Sequence, residues 1–165
     1  LLGYKEEAAG GIMTTDFLTV NDDLTVSDAI EAIREMDENQ ESIHYLYLVS
    51  DNDVLTGVLS LRTLVIAKPE MSLDELSTKE LITVHPDLDQ EECAQTIAKY
   101  DLLAIPVVDE QGVMLGVVTV DDAMDVLEEE HEEDLQQRSI SSPWVIGIIV
   151  ALLIVIGVLI FMLNS

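Results

Sequence analysis

Positive charge is what this chain has least of: seven Lys and Arg stand against 33 Asp and Glu, a formal net charge of -26. That balance excludes nucleic acid as a partner, because a phosphate backbone would be repelled, and makes cations the natural counter-species. Cysteine is just as scarce. Cys93 stands alone, so no internal disulfide forms, and His44, His85 and His131 are too dispersed for a zinc spacing. A reducing, cytosolic setting fits. The chain also lacks a GxxxxGK[ST] phosphate loop, a nucleophile elbow and any Cys/His pairing signal, which argues against an enzyme. Nothing at the start reads as a signal peptide, and the first residue is Leu1 rather than Met, which predicts a chain cut from something longer.

Apolar residues, by contrast, are plentiful. They make up 48% of the 165 residues, enough for one compact domain with a real core plus an accessory segment. Twenty residues without a charge, all of them apolar but for Gly147 and Gly157, run from Trp144 to Leu163 (WVIGIIVALLIVIGVLIFML). At the rise of an α-helix that stretch spans roughly the 30 Å of a bilayer's hydrocarbon. A single transmembrane helix over 143–163 is therefore expected, with Pro143 at its first turn and Trp144 in the interface belt. Arg138 is the only positive charge near it, so the positive-inside rule has little to count. Cysteine usage places the soluble part on the cytosolic side.

The remainder is one unit used twice. LTVNDDLTVSDAIEAI (Leu18 to Ile33) lies over ITVHPDLDQEECAQTI (Ile82 to Ile97). In both, a short strand ends in Thr-Val, an acid-capped turn follows, and apolar residues recur at helical spacing. The stripe is Val26, Ala29, Ile30, Ile33 and Met36 in the first copy, and Cys93, Ala94, Ile97 and Tyr100 in the second. Two strands joined by an Asp/Asn/Gly turn come next, HYLYLVSDNDVLTGVLS and AIPVVDEQGVMLGVVT, and a helix beginning near Leu61 or Val120 closes each copy. This predicts an α/β (α+β) fold of two β-α-β-β-α repeats, over 12–71 and 72–127, packed as a pair because neither half buries its sheet alone. A connecting segment, 1–11, precedes them. An acidic extension and linker, 128–142, leads to the membrane helix.

Between Asp121 and Asp134 fall nine carboxylates and no Lys or Arg. On a helix Asp122, Asp125, Glu129 and Glu133 form one edge, and Asp121, Asp125, Glu128 and Glu132 a neighbouring one. Each like-charge i,i+4 pair costs roughly 0.2 to 0.5 kcal/mol, which bound cations relieve. The ligands on offer are hard oxygens, favouring magnesium or calcium over zinc or copper. Magnesium keeps several waters and takes one or two carboxylates, so paired surface acids suffice without a cage. A solvated acidic face is the plainer alternative.

GVLSLRTL at Gly57 and GVVTVDDA at Gly116 resemble the tandem cystathionine-beta-synthase (CBS) domain pair. AAGGIMT, LTVSDAI, GVLSLR, DQEECAQ, YDLLAIPVVDEQG and TVDDAMDVLEEE, in that order, are similar to the cytosolic CBS region of MgtE-type magnesium transporters over about residues 3 to 135. That resemblance implies a homodimeric regulatory module, not an enzyme, that binds Mg2+ and closes a pore in an attached membrane transport domain. It implies magnesium-binding carboxylates at Asp89, Glu91, Asp101, Asp122, Asp125, Glu130, Glu133 and Asp134, with main-chain oxygens at Ala98 and near Gly10. Two departures stand out: the family's helical N-terminal domain does not precede Leu1, and one span follows where the family has five. A lone apolar helix offers no oxygen ligands for an ion path, so this chain by itself is not expected to transport.

Adenine nucleotides, ATP or AMP, are the alternative ligands the CBS resemblance implies. Their Thr/Ser-x-x-Asp motif is present in the second copy as Thr119 and Asp122, but reads Ser60-Leu-Arg-Thr63 in the first. Thr119 and Asp122 also fit a capping box. Tyr45, Tyr47 and Leu102 read as core or inter-repeat packing, with contact to a base as a lesser option. A tail-anchored adaptor, using its acidic face against a basic protein, is the third reading.

Overall fold

A computed structural model describes residues 3–35, 45–128 and Ile156. The first copy starts with helix α1 (Ala9–Ile12) and strand β1 (Leu18–Asn21). Helix α2 (Val26–Arg34), the hairpin β2 (Tyr45–Val49) and β3 (Leu55–Ser60), and helix α3 (Leu61–Ile66) complete it. The second repeats the order with α4 (Leu73–Leu76), α5 (Gln90–Lys99), β4 (Ala104–Val108) and β5 (Met114–Thr119), and 120–128 are helical. The mixed α/β repeat pair is as expected, with one short helix added at the head of each copy. Met36 and residues 129–155 and 157–165 lie outside the described residues, and with them nearly all of the expected span at 144–163. Among the described residues no helix is long and apolar enough to cross a membrane.

Local chemistry sets the helix starts. Thr25 Oγ1 accepts from the Asp28 amide while Asp28 accepts from the Thr25 amide at 2.9 Å, a capping box for α2. Asp89 caps α5 by accepting from the Glu91 amide at 2.9 Å, and Ser60 caps α3 by accepting from the Thr63 amide at 3.1 Å. Burial follows the predicted stripes: Val26, Ala29, Cys93, Ala94 and Ile97 are all buried. Ile30 and Ile33 are partly buried against the first copy's core, and Tyr100 is 48% exposed, because α5 ends there and no further turn carries the ring back over the core.

One expected strand is lost. In the first copy β1 runs parallel to β2 over four residue pairs, Leu18 with Leu46 through Asn21 with Val49. In the second only Val84 bridges Val107, donating to Pro106 O at 3.0 Å and accepting from the Val108 amide at 2.9 Å. The next rungs need amides at 86 and 106, and both are proline. Their first-copy counterparts, Asp22 and Tyr47, keep the N–H, and Asp22 donates to Val49 O at 3.0 Å.

The copies are not side by side but laced together. Thr14, at the head of the first, exchanges backbone bonds with Val117 on β5 of the second (2.8 and 3.0 Å). Thr78, at the head of the second, does the same with Val58 on β3 of the first (2.9 and 3.2 Å). Each crossing runs over a glycine. A Cβ at Gly116 would sit 2.7 Å from Met13 Sδ and 2.8 Å from Thr14 O, and one at Gly57 2.7 Å from Ser77 Oγ. The short helices cross likewise: the Ala9 amide donates to Leu88 O at 2.7 Å, and the Leu73 amide to Leu24 O at 3.0 Å. A bridge between Val54 and Val113 joins the hairpins. One apolar cluster (Val20, Val26, Leu46, Leu48, Leu59, Leu64) fills the first copy, and Tyr47, Leu55 and Val117 form another that draws on both.

Two outcomes follow. Gly116→Ala forces the crossing backbone at Thr14 apart and is expected to cost about 1–3 kcal/mol in denaturant unfolding, with amide exchange accelerated at Thr14 and Val117. An unchanged midpoint would mean that the crossing is slack. The Thr25 side chain and then its amide hold Asp28 below the ordinary carboxylate range. Its contribution is therefore complete above the ordinary aspartate value and is lost only as pH falls through the lowered one. An NMR titration of the Thr25 amide should show this, and Asp28→Asn should abolish it.

Candidate functional site

The acids singled out in the sequence sit on the second copy. Asp89 caps α5, Glu91 lies in its first turn, Ala98 near its end, and Asp101 just past it at a left-handed φ of 50°. Asp122 and Asp125 stand on the helix over 120–128. Glu130, Glu133 and Asp134 lie outside the described residues. The lacing of the copies brings Gly10 beside the approach to α5: its amide donates to Pro86 O at 2.8 Å, and Ala8 bridges Asp89.

These groups carry other duties. Asp89 is committed in part to its cap, and Glu91 accepts from Gln95 Nε2 at 2.9 Å. Asp122 accepts from the Thr119 hydroxyl and, at 3.4 Å, from its amide, so the pair forms the capping box that the sequence allowed. None of Asp89, Glu91, Asp101, Asp122 and Asp125 is in an ion pair among the described residues. Nor, among them, do three or more acid, Cys or His side chains converge as a metal cage. The donor set suits a hard cation that keeps most of its water and takes one or two carboxylates, and does not suit a dehydrated one. Cys93 is no ligand either, since burial pushes its thiol up to about 11.

Elsewhere the two copies line a half-open cleft of about 170 Å³. Tyr45 and Tyr47 of β2 face it from the first copy, Leu102 and Pro106 from the second, and the crossing strand supplies Thr78 and Glu80. Thr119 and Asp122 are not among its walls. Sequence reasoning took Tyr45, Tyr47 and Leu102 as core or inter-repeat packing and missed Thr78 and Glu80, whose arrival depends on the backbone crossing at Val58. The Tyr47 hydroxyl is buried and has no hydrogen-bond partner among the described residues, in a residue 2% exposed. Burial and then the neighbouring Tyr45 hold its ionisation well above the ordinary tyrosine range, so it stays a neutral donor. The Tyr45 hydroxyl accepts from the Leu103 amide at 3.5 Å across the copies.

The CBS domain profile matches residues 9–70 and 73–129. A magnesium transporter MgtE of Thermus thermophilus is 42% identical over 137 residues, which are 83% of this chain and 30% of that protein. The crystal structure of the soluble part of a magnesium transporter superposes with a TM-score of 0.76 at 40% identity, covering 78% of this chain and 50% of that one. The cytosolic domain of the Mg2+ channel MgtE in complex with ATP gives 0.72 at 41% identity, covering 74% of this chain and 50% of that one. The chain thus spans under a third of the full-length relative.

An unpartnered buried hydroxyl is a cost that phenylalanine removes without changing shape. Tyr47→Phe is therefore expected to unfold at the same or a higher denaturant concentration, with a gain of up to about 1 kcal/mol. A loss of more than that would show that the hydroxyl is satisfied in solution.

Proposed function

The chain belongs to the CBS domain family, as a tandem pair homologous to the cytosolic region of MgtE, and on that premise we propose that it is a magnesium-responsive regulatory segment of a magnesium transporter. It is read as a regulator and not an enzyme. The observation that carries the reading is the similarity of the CBS pair, at 40% and 41% identity, to half of the soluble part of a magnesium transporter and half of the cytosolic domain of a Mg2+ channel. The chemistry of the surface supports it. Charge is -26 in all, and the exposed carboxylates on α5 and 120–128 have no basic partner among the described residues.

Asp89, Glu91, Asp101, Asp122 and Asp125 would hold Mg2+ through one or two carboxylates per ion, with Glu130, Glu133 and Asp134 as further acidic ligands and the Ala98 and Gly10 carbonyls as neutral donors. Bound Mg2+ supplies positive charge that offsets repulsion between acidic faces. The protein's part is to hold those faces at helix termini and edges where approach of a second surface crowds them. Such an ion shifts an equilibrium only if it binds the compact arrangement more tightly than the open one. A homodimer belongs to this reading. Val65 and Ile66 on α3 are 77% and 74% exposed and Met124 is 55% exposed, large apolar side chains that a second copy would cover. Attachment to the bilayer through 144–163, with the CBS pair on the cytosolic side, completes it.

An adenine-nucleotide ligand is the second reading, favoured by the cavity beside Tyr47 and by the ATP complex of one relative. An acidic adaptor for a basic protein has no comparable support.

Calorimetry and small-angle scattering on the full chain in detergent test the main reading. Millimolar Mg2+ is expected to bind and to reduce the radius of gyration, and Asp89→Asn with Asp125→Asn to weaken binding several-fold. If the ion leaves both heat and shape unchanged, the chain is not a magnesium sensor.

A further inference from the structure

We infer that Gln95 is a positioning residue for cation binding: its amide fixes one oxygen of Glu91 and leaves the other free to take Mg2+. The inference rests on the magnesium reading above and names a residue that serves it. Gln95 stands four residues after Glu91 on α5, one turn on along the same face, and Ala98 follows three residues later. Another face of the helix carries Cys93, Ala94 and Ile97 into the core. Gln95 itself is exposed, so core packing does not account for it. What its side chain does is donate from Nε2 to Glu91 Oε1 at 2.9 Å.

Two other candidate acids show the same pattern. Both bonds to Asp89 fall on Oδ1, from the amides of Glu91 at 2.9 Å and Glu92 at 3.4 Å. Both bonds to Asp122 fall on Oδ2, from the hydroxyl and the amide of Thr119. In all three acids one oxygen is held, and the other has no protein partner among the described residues. Every donor involved is uncharged.

The absence of charge on the donor decides what it can do. A Lys or Arg at position 95 would form an i,i+4 ion pair with Glu91 and offset the charge that attracts a dication. A primary amide restrains the carboxylate and leaves that charge whole. The restraint has something to act on, because a glutamate side chain carries much rotamer freedom that ordering must remove. The backbone below is already fixed: the Gln90 amide donates to Glu7 O at 3.0 Å, and Asp89 caps the helix. Only the Glu91 side chain is left to order, and Gln95 orders it before an ion arrives. Hydrogen-bonded support of this kind changes metal affinity about 10- to 100-fold in built sites. It weighs most for magnesium, which demands near-ideal octahedral geometry, and less for calcium, whose coordination is flexible.

Gln95→Met keeps the length and helix propensity of the side chain and removes the donor. NMR titrations of the full chain in detergent with Mg2+ and, separately, Ca2+, read at the amides of α5, test the inference. The Mg2+ concentration that half-shifts the Glu91 amide is expected to rise about tenfold in Gln95→Met, with a smaller rise for Ca2+ and an unmoved denaturant midpoint. In a Glu91→Gln background the same substitution should change Mg2+ uptake no further, since its effect passes through Glu91. An unmoved Glu91 response in a chain that still takes up Mg2+ would overturn the inference and leave the magnesium reading standing. So would a loss as large for Ca2+, or one that persists in the Glu91→Gln background. Mg2+ that moves no amide in either protein would overturn both.

Discussion

Each copy of the repeat is finished by backbone that belongs to the other. Thr14 pairs with Val117 and Thr78 with Val58, and both pairings depend on a strand passing within van der Waals contact of Gly116 or Gly57. A two- or three-stranded sheet is marginal alone. The crossings make the halves mutually dependent, and they place the short helices α1 and α4 against the N-terminal ends of α5 and α2. Everything proposed for the molecule uses this lacing: it carries the segment bearing Gly10 to Asp89, and the segment bearing Thr78 and Glu80 to the cavity wall.

The duplication is therefore not a symmetry of function. Prolines 86 and 106 reduce the second copy's first strand to one bridge where the first copy keeps a ladder. Phe17 fills against Tyr47 where Leu81 lines a cavity. Thr119 and Asp122 keep the hydroxyl-acid pair that Ser60 and Thr63 have lost. Small side-chain differences within one backbone plan thus distinguish the two copies and leave a cleft of about 170 Å³ beside the first copy's hairpin. The chain is similar to magnesium-transport proteins along its CBS pair, and the carboxylates of α5 and 120–128 have no basic partner among the described residues.

Much of this was readable from residues. Periodicity located α2 and α5, an acid-capped turn was expected before each and Asp89 supplies it for α5, and the internal repeat predicted a packed pair. The acidic residues were legible as candidates, since hard oxygen ligands declare themselves by type. Tyr100 was misjudged because periodicity does not say where a helix stops. The strand before Val84 was overestimated because prolines on two different segments, far apart in sequence, had to meet before their missing amides mattered.

The sequence by itself determined the repeat, the helix caps, the excess of negative charge and the apolar run at 144–163, because each is a property of neighbouring residues along one chain. Only the tertiary structure decided that the heads of the two copies exchange places, and that Tyr47 keeps a hydroxyl with no partner among the described residues. Those depend on which segments touch across the fold, and contact between residues 14 and 117 or 58 and 78 leaves no periodic trace in either segment.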